Sequence, residues 1–331
     1  MLLLGTTLFS MTPEWRRGAD AASLMERIAA VGCGPAVEVI GHQAWRGFPD
    51  ITATDERTFR STVDRLGLAP VALGVYTDLF RRPGRPLTED QALEDIRPQL
   101  RTAARLGFPL VRATLGMESG LLRRVLDEAE RLGVVLTFEV QGATTPDAPA
   151  VVELLDLQEA TGSAHLGLTL DFSLSTPALP VAFGTALRRL GLSGEAVAAV
   201  HGAWGAAGPI GPRIGRALSA VAGHRNEAAL TTLVAGVLGR CGRTRPADWA
   251  LLLPLVRHAH AKFWDPAVES VRAPHGAWLT ALREAGYDGA VLSEWGGHEL
   301  LDRADTDALA VTRAHHNLLG QLVIERTAVT A

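Results

Sequence analysis

Lysine is almost missing from this chain. Of its 32 basic residues, 31 are Arg and one, Lys262, is Lys. Arg can replace Lys wherever a diffuse positive charge suffices, but its planar fork does not mimic a compact ammonium. The surviving lysine is therefore a position to locate. Cysteine is scarce too. Cys33 and Cys241 lie far apart and form no CxxC pair, which excludes a disulfide scaffold or thiolate cluster and points to a reduced, cytoplasmic setting. No apolar run reaches the ~18 residues of a membrane span. The opening MLLLGTTLFS has no basic leader and no small-residue cleavage site, so it reads as a first strand rather than a signal peptide. There is no Lys/Arg block and the net charge is −4, which excludes nucleic acid as a partner because phosphate binding needs clustered positive charge.

What is present is ordinary globular material. Hydrophobic residues make up 47% and charged residues 21%, enough apolar surface to exclude disorder. A chain of 331 residues suits two domains of ~150 residues or one large α/β barrel. Short β-rich runs alternate with amphipathic stretches. Strands are expected at 2–9, 36–40, 70–76, 110–114, 134–140, 166–171, 255–260 and 290–294. Helices are expected at 21–31, 55–66, 89–106, 118–132, 149–160, 276–285 and 305–319. Several end at a glycine, among them Gly67 and Gly107, where a helix C-cap favours positive φ.

Eight strands alternating with helices predict a (β/α)8 TIM barrel, one domain over residues 1–331. No GxGxxG follows the first strand, which removes the dinucleotide-binding alternative. The rhythm breaks between Asp171 and Leu255. Residues 174–250 read as a helical insertion after strand 6, a lid or an interface, with helices near 181–190, 195–200, 215–221 and 227–238.

In such barrels chemistry sits at the C-terminal ends of the strands. Strand 5 ends in TFEVQG with Glu139, strand 6 in LTLDFS with Asp171, strand 7 in HAHAKFWD with His260, and strand 8 in VLSEWGG with Glu294. Singly, each carboxylate reads more often as a loop solvator or cap, and His260 equally well as a satisfied core histidine. Four in register on successive strands predict a metal site. Three carboxylates and one imidazole form a hard, oxygen-rich shell that favours Mn²⁺, with Mg²⁺ or Co²⁺ as alternatives. His258 shares the parity of His260 one layer deeper and reads as structural. Lys262 also shares that parity, which puts the lone lysine beside the metal at the pocket mouth, with Asp265 as its expected partner.

Other residues are expected to touch substrate: Glu38 and His42 after strand 2, Arg112 at strand 4, Gln141 after strand 5, and His201 in the insertion. Seven Trp against two Tyr is an inverted ratio. Trp15, Trp45, Trp204, Trp264 and Trp295 fall on the active side, where an indole either stacks on a sugar or aryl group or braces a long loop. His315 and His316, on the last helix, read as surface residues. Gly296-Gly297 could admit a phosphate to backbone N–H groups, a weak signal.

The late segments resemble the xylose-isomerase-like barrels, the sugar phosphate isomerase/epimerase group. That pattern places Glu on strand 5, Asp on strand 6, His-x-Lys on strand 7, and Gly-Tyr-x-Gly before a Glu on strand 8. The resemblance implies that Glu139, Asp171, His260 and Glu294 bind one divalent metal and that Glu139 and Glu294 exchange protons with substrate carbon. A narrower likeness joins GCGPAVEVIGHQAWRGFP, the YTD after strand 3 and LGFPLVRATLG to catalytic subunits of bacterial C-glycoside deglycosidases. Those cleave a carbon–carbon glycosidic bond in a 3-keto sugar and work with a small second subunit. They tend to carry His two residues after the strand-5 Glu, where this chain has Gln141, which cannot accept a proton at neutral pH.

These parts permit proton abstraction next to a carbonyl, with a metal-stabilised enediolate. Returning the proton makes an isomerase or epimerase acting on a sugar or keto-sugar, the leading expectation. Expelling a β-substituent makes a lyase, either a C-glycoside deglycosidase or a keto-inositol dehydratase. A barrel that only binds a ligand is the alternative of another class. A sugar or glycoside substrate, and a homo-oligomer or a small second subunit, are the expected partners.

Overall fold

Strands buried on both faces need near-continuous apolar runs rather than alternation; APVALG is such a run, and AVEVI and LVRAT are each broken by one charged residue, Glu38 or Arg112. They close into a barrel of eight parallel strands paired in chain order: β1 (Leu3–Thr7), β2 (Ala36–Ile40), β3 (Ala69–Gly74), β4 (Leu110–Thr114), β5 (Val135–Val140), β6 (Leu166–Asp171), β7 (Val256–Phe263) and β8 (Ala290–Trp295). The computed structural model describes residues 2–77, 86–301 and 306–328, with side chains as far as Glu325. Asp78 of the YTD segment and Asp305 lie outside the described residues. Closure comes from β1 against β8, with Leu3 opposite Ala290 and Thr6 opposite Ser293. The chain is a (β/α)8 barrel.

Helices cover the outside. Two of them, Ala53–Leu66 and Glu89–Leu106, open on reciprocal capping boxes, Thr52 with Asp55 and Thr88 with Gln91. Each box satisfies two backbone groups that the first turn leaves unpaired. β7 is longer than its apolar pattern suggests. It runs to Phe263, so Lys262 stands inside the strand, paired in register with Glu294, rather than in a loop at the mouth. The helix after it starts at Arg272, and the last helix runs Ala308–Ala328.

Between β6 and β7 four helices, Val181–Arg189, Gly194–Gly205, Ile210–Ser219 and Glu227–Gly239, build a second buried cluster around Phe183, Trp204, Leu230, Val234 and Leu238. Trp264 and Leu300, from the barrel loops, join that cluster. The two ends of the segment are zipped together: Gly242 N–H donates to Ser173 O at 2.7 Å, and Thr176 N–H donates to Gly242 O at 2.8 Å. A Cβ at Gly242 would stand 2.1 Å from Gly142 O, so only glycine permits this approach. Asp265 caps the first helix of the segment, accepting from Val181 N–H at 2.9 Å and Ala182 N–H at 2.8 Å. That is why it does not pair with Lys262: a carboxylate is well placed at a helix N-terminus, where unpaired amides and the dipole both favour it.

His315 is not a surface residue. It is buried between the barrel wall and the outer helices, accepting from Ser293 Oγ at 2.7 Å and stacked on Phe263 with ring centroids 3.9 Å apart. Its other nitrogen lies 3.0 Å from His275 Nδ1, and His275 Nε2 donates to Lys262 O at 3.1 Å. Helix periodicity places His315 on a face of the last helix but does not show that this face packs on β8. His316 is half-buried.

Candidate metal centre and active site

The strand pairing brings four side chains from β5, β6, β7 and β8 to one point. One ligand atom from each of Glu139, Asp171, His260 and Glu294 lies within 4.8 Å of the other three, and all four residues are buried. His260 Nδ1 is 2.9 Å from Glu139 Oε1 and 2.7 Å from Glu294 Oε2. Lys262 Nζ donates to Glu294 Oε1 at 2.8 Å and lies 3.8 Å from Asp171 Oδ2. It also sits 5.1 Å from the centre of the Phe9 ring, close enough for a cation–π contact.

Two strands from the other half of the barrel support this group. Arg112 on β4 donates from Nε to Glu38 Oε1 at 2.8 Å and from Nη1 to Glu139 Oε2 at 3.3 Å. Glu38 on β2 accepts at Oε2 from His258 Nε2 at 3.0 Å and from His260 Nε2 in a close contact. Gln141 Nε2 donates to Glu139 Oε2 at 3.3 Å. Arg112 lies 5.6 Å from the centre of the half-exposed Tyr76 ring.

The arrangement suits a divalent cation. Two oxygens in the cluster, Asp171 Oδ2 and Glu294 Oε2, are buried with no hydrogen-bond donor, and a buried oxygen without a donor is costly unless something else satisfies it. Four carboxylates (Glu38, Glu139, Asp171, Glu294) face one guanidinium, one ammonium and the His260 imidazole, where burial is outweighed by Glu38 and Glu294 so that it too is charged; with all four ionised, one negative charge is left uncompensated. Burial, only partly opposed by Lys262, pushes the Asp171 carboxyl up to about 7, with Glu294 and Glu139 adding to the rise. A proton held there is what a cation would displace. Burial also acts against Glu294, but Lys262 and His260 outweigh it and hold that carboxyl well below the usual range. For Lys262, burial is outweighed by Glu294 and Asp171, so the ammonium stays charged.

The other expected site residues are placed differently. Glu38 stands in the middle of β2 rather than after it, fully buried with both oxygens occupied, so it has no lone pair facing substrate. Arg112 is likewise buried and engaged with two carboxylates. His42 is exposed in the turn after β2, its ring edge-on to Phe48 at 5.0 Å. His201 packs within the insertion, 6.1 Å from Phe183, and the structure does not bring it to the cluster. Trp45, Trp204, Trp264 and Trp295 are buried and Trp15 half-buried. Trp204 Nε1 donates to Thr176 O at 2.9 Å and Trp295 Nε1 to Trp264 O at 3.0 Å. These indoles brace loops. One residue escaped the sequence reading. His298, four residues after Glu294, packs edge-on to Phe9 at 4.8 Å and Trp295 at 5.7 Å, with neither ring nitrogen hydrogen-bonded. Burial, then Lys262, hold it down at about 4, so it is neutral. A His just past a barrel strand end was the available signal.

No family model matches the chain. It is 30% identical to the C-glycoside deglycosidase alpha subunit of Arthrobacter globiformis, over 97% of this chain and 92% of that one. It is 31% identical to the 3'-dehydrocarminate deglycosidase alpha subunit of a Microbacterium species, over 89% and 88%. Among solved structures, the 3-keto-D-glucoside 4-epimerase of E. coli superposes with a TM-score of 0.52 at 13% identity, covering 98% of this chain and all of that one; at that identity the likeness is one of fold. The identity held along nearly the whole chain shows that it belongs to the family of C-glycoside deglycosidase alpha subunits.

Proposed function

We propose that this chain is the catalytic subunit of a metal-dependent lyase that splits the carbon–carbon bond between a 3-keto sugar and its aglycone. The observation that carries this reading is the buried Glu139–Asp171–His260–Glu294 cluster in a chain 30% identical, nearly end to end, to a C-glycoside deglycosidase alpha subunit. It favours elimination over the isomerase or epimerase outcome, which shares the first proton transfer. The alpha-subunit names of the relatives support a smaller partner subunit, and the helical segment 174–250 is available as its interface or as a lid.

Glu139, Asp171, His260 and Glu294 would hold the ion, Mn²⁺ being the best match to three carboxylates and one imidazole. When bound, it supplies a Lewis acid that polarises the ketone and offsets the charge of the carboxylates. The chain's own groups do the rest. In elimination from a 3-keto glycoside, a base takes the proton from C2, the C1–C2 double bond forms, the C1–aglycone bond breaks, and the aglycone carbon takes up a proton. Glu139 and Glu294 flank the site and are the groups to move those protons. Arg112 and Gln141 fix Glu139 through its Oε2. Lys262, anchored on Glu294, directs a compact positive charge at developing negative charge on substrate oxygen. Gln141 binds substrate hydroxyls rather than taking a proton.

The test uses chain purified with any small subunit that accompanies it, loaded with Mn²⁺ and offered, in separate reactions in D₂O, a 3-keto-C-glucoside and free ketoses. Release of free aglycone supports the lyase. Deuterium uptake into a free ketose without cleavage supports the isomerase or epimerase instead.

A further inference from the structure

Glu38 lies outside the four-residue cluster, yet it makes the contact that decides which nitrogen of His260 faces the cluster. Glu38 is paired with the Arg112 guanidinium across 2.8 Å, and a carboxylate in such a pair can only accept hydrogen bonds. Its Oε1 is taken by Arg112 at 2.8 Å and its Oε2 by His258 Nε2 at 3.0 Å and His260 Nε2. Both histidines must therefore carry a proton on Nε2. His260 Nδ1 faces Glu139 and Glu294, which accept its second proton when no ion is bound; with Nε2 held by Glu38, that Nδ1 proton is the one a cation displaces. The strand geometry supports this contact: Glu38 lies in the middle of β2. A Cβ on Gly74, beside it on β3, would stand 2.6 Å from Arg112 Nη2 and 3.1 Å from Glu38 Oε1, so the pair rests on a bare glycine.

We propose that Glu38 is a positioning residue for the metal centre: it locks His260 in the Nε2–H tautomer, so that the Nδ1 lone pair is presented to a divalent cation. The inference rests on the metal reading given above and adds the group that makes His260 competent. Histidine ligands commonly donate their second nitrogen to a carboxylate, and losing that carboxylate typically weakens metal binding 10–100-fold. Glu38→Gln makes the mechanism specific. If the amide oxygen faces the histidines, its NH₂ meets the Arg112 donors. If the NH₂ faces the histidines, His260 must accept at Nε2 and place its proton on Nδ1, where a cation would bind.

The experiment measures Mn²⁺ affinity by titration calorimetry on metal-stripped wild type, Glu38→Gln and His258→Asn. Circular dichroism and Tm check that each is folded. His258→Asn removes a neighbouring buried imidazole but keeps the Glu38–His260 bond. The expected result is a loss of ~10–100-fold for Glu38→Gln, with His258→Asn close to wild type. Equal losses in both variants, or wild-type affinity in Glu38→Gln, overturn the proposal. A second measurement needs no variant: ¹⁵N spectra of histidine-labelled wild type with a diamagnetic divalent ion. They should show His260 protonated on Nε2 and bare on Nδ1; the opposite tautomer contradicts the lock. If the wild type itself binds no divalent ion, the metal reading has failed, an outcome distinct from either result on Glu38.

Discussion

Glu38 on β2 and Glu294 on β8 are both buried strand carboxylates, and their oxygens are used differently. Every Glu38 oxygen has a donor, from Arg112, His258 or His260. Glu294 holds Lys262 with one oxygen and leaves the other without a hydrogen-bond donor beside His260. The same contrast separates the halves of the barrel. The early strands contribute Glu38 and Arg112, which hold other side chains in place. The late strands contribute the group with open oxygens. Residue type alone does not divide support from chemistry here: open oxygens mark Asp171 and Glu294, while Glu139, whose oxygens both have donors, is marked by its place in the cluster.

The comparison is most severely tested by exchanging one carboxylate at a time. Glu139→Gln and Glu294→Gln should each lower kcat by ~10³-fold or more, since each removes a proton-transfer group of the kind that contributes 10²–10⁴-fold, and both should weaken Mn²⁺ binding. Steady-state kinetics beside calorimetry checks this, and turnover within tenfold of wild type in either variant would erase the distinction between the halves.

Lys262→Arg comes next. Lys262 is buried against Glu294, Asp171 and the Phe9 ring, and a planar fork does not reproduce its compact ammonium. A fall in kcat/KM of ~10²-fold is expected, about 2.7 kcal/mol. The exposed Arg57→Lys should change nothing, and parity between these two variants would return the lone lysine to chance.

Adding Mn²⁺ to stripped protein at 100 times its Kd should stabilise the fold by about 2.7 kcal/mol. Scanning calorimetry would register this as a rise in Tm that Glu294→Gln largely loses. A Tm that ignores Mn²⁺ in the wild type would count against the site.

A graded effect concerns histidines of the barrel wall, in contrast to His260 inside it. Burial pushes His275 down to about 3 and holds His315 well below the usual histidine value. The folded state therefore binds fewer protons than the unfolded chain below pH ~6.5. Stability is fully present above that pH and falls as the solution is acidified, by up to about 1.4 kcal/mol per pH unit for each histidine. Tm measured from pH 7 to 4 should drop less steeply in His315→Gln, and identical slopes would mean that the wall histidines are not the cause.

Much of this was legible in the sequence where a rule acts locally. The spans Ala36–Ile40, Glu89–Leu106, Leu110–Thr114 and Leu166–Asp171 coincide with their expected limits, because strand length, capping residues and closing glycines are short-range signals. Parity put Lys262 and His260 on one side of β7, and both meet Glu294. What stayed hidden depends on partners distant in sequence. Glu38 looked available for substrate because nothing nearby announces Arg112 or His258. Asp265 looked like a partner for Lys262 because its helix cap lies more than eighty residues earlier. His315 looked exposed because a helix pattern does not name the strand it covers.

The central claim is that the late-strand cluster holds one divalent ion. Elemental analysis of chain stripped by chelator, reloaded with Mn²⁺ and freed of excess ion tests it most directly. The account predicts one Mn²⁺ per chain in the wild type and a clear loss in Glu294→Gln. Wild-type protein that retains no stoichiometric ion, or Glu294→Gln that retains it fully, would contradict it.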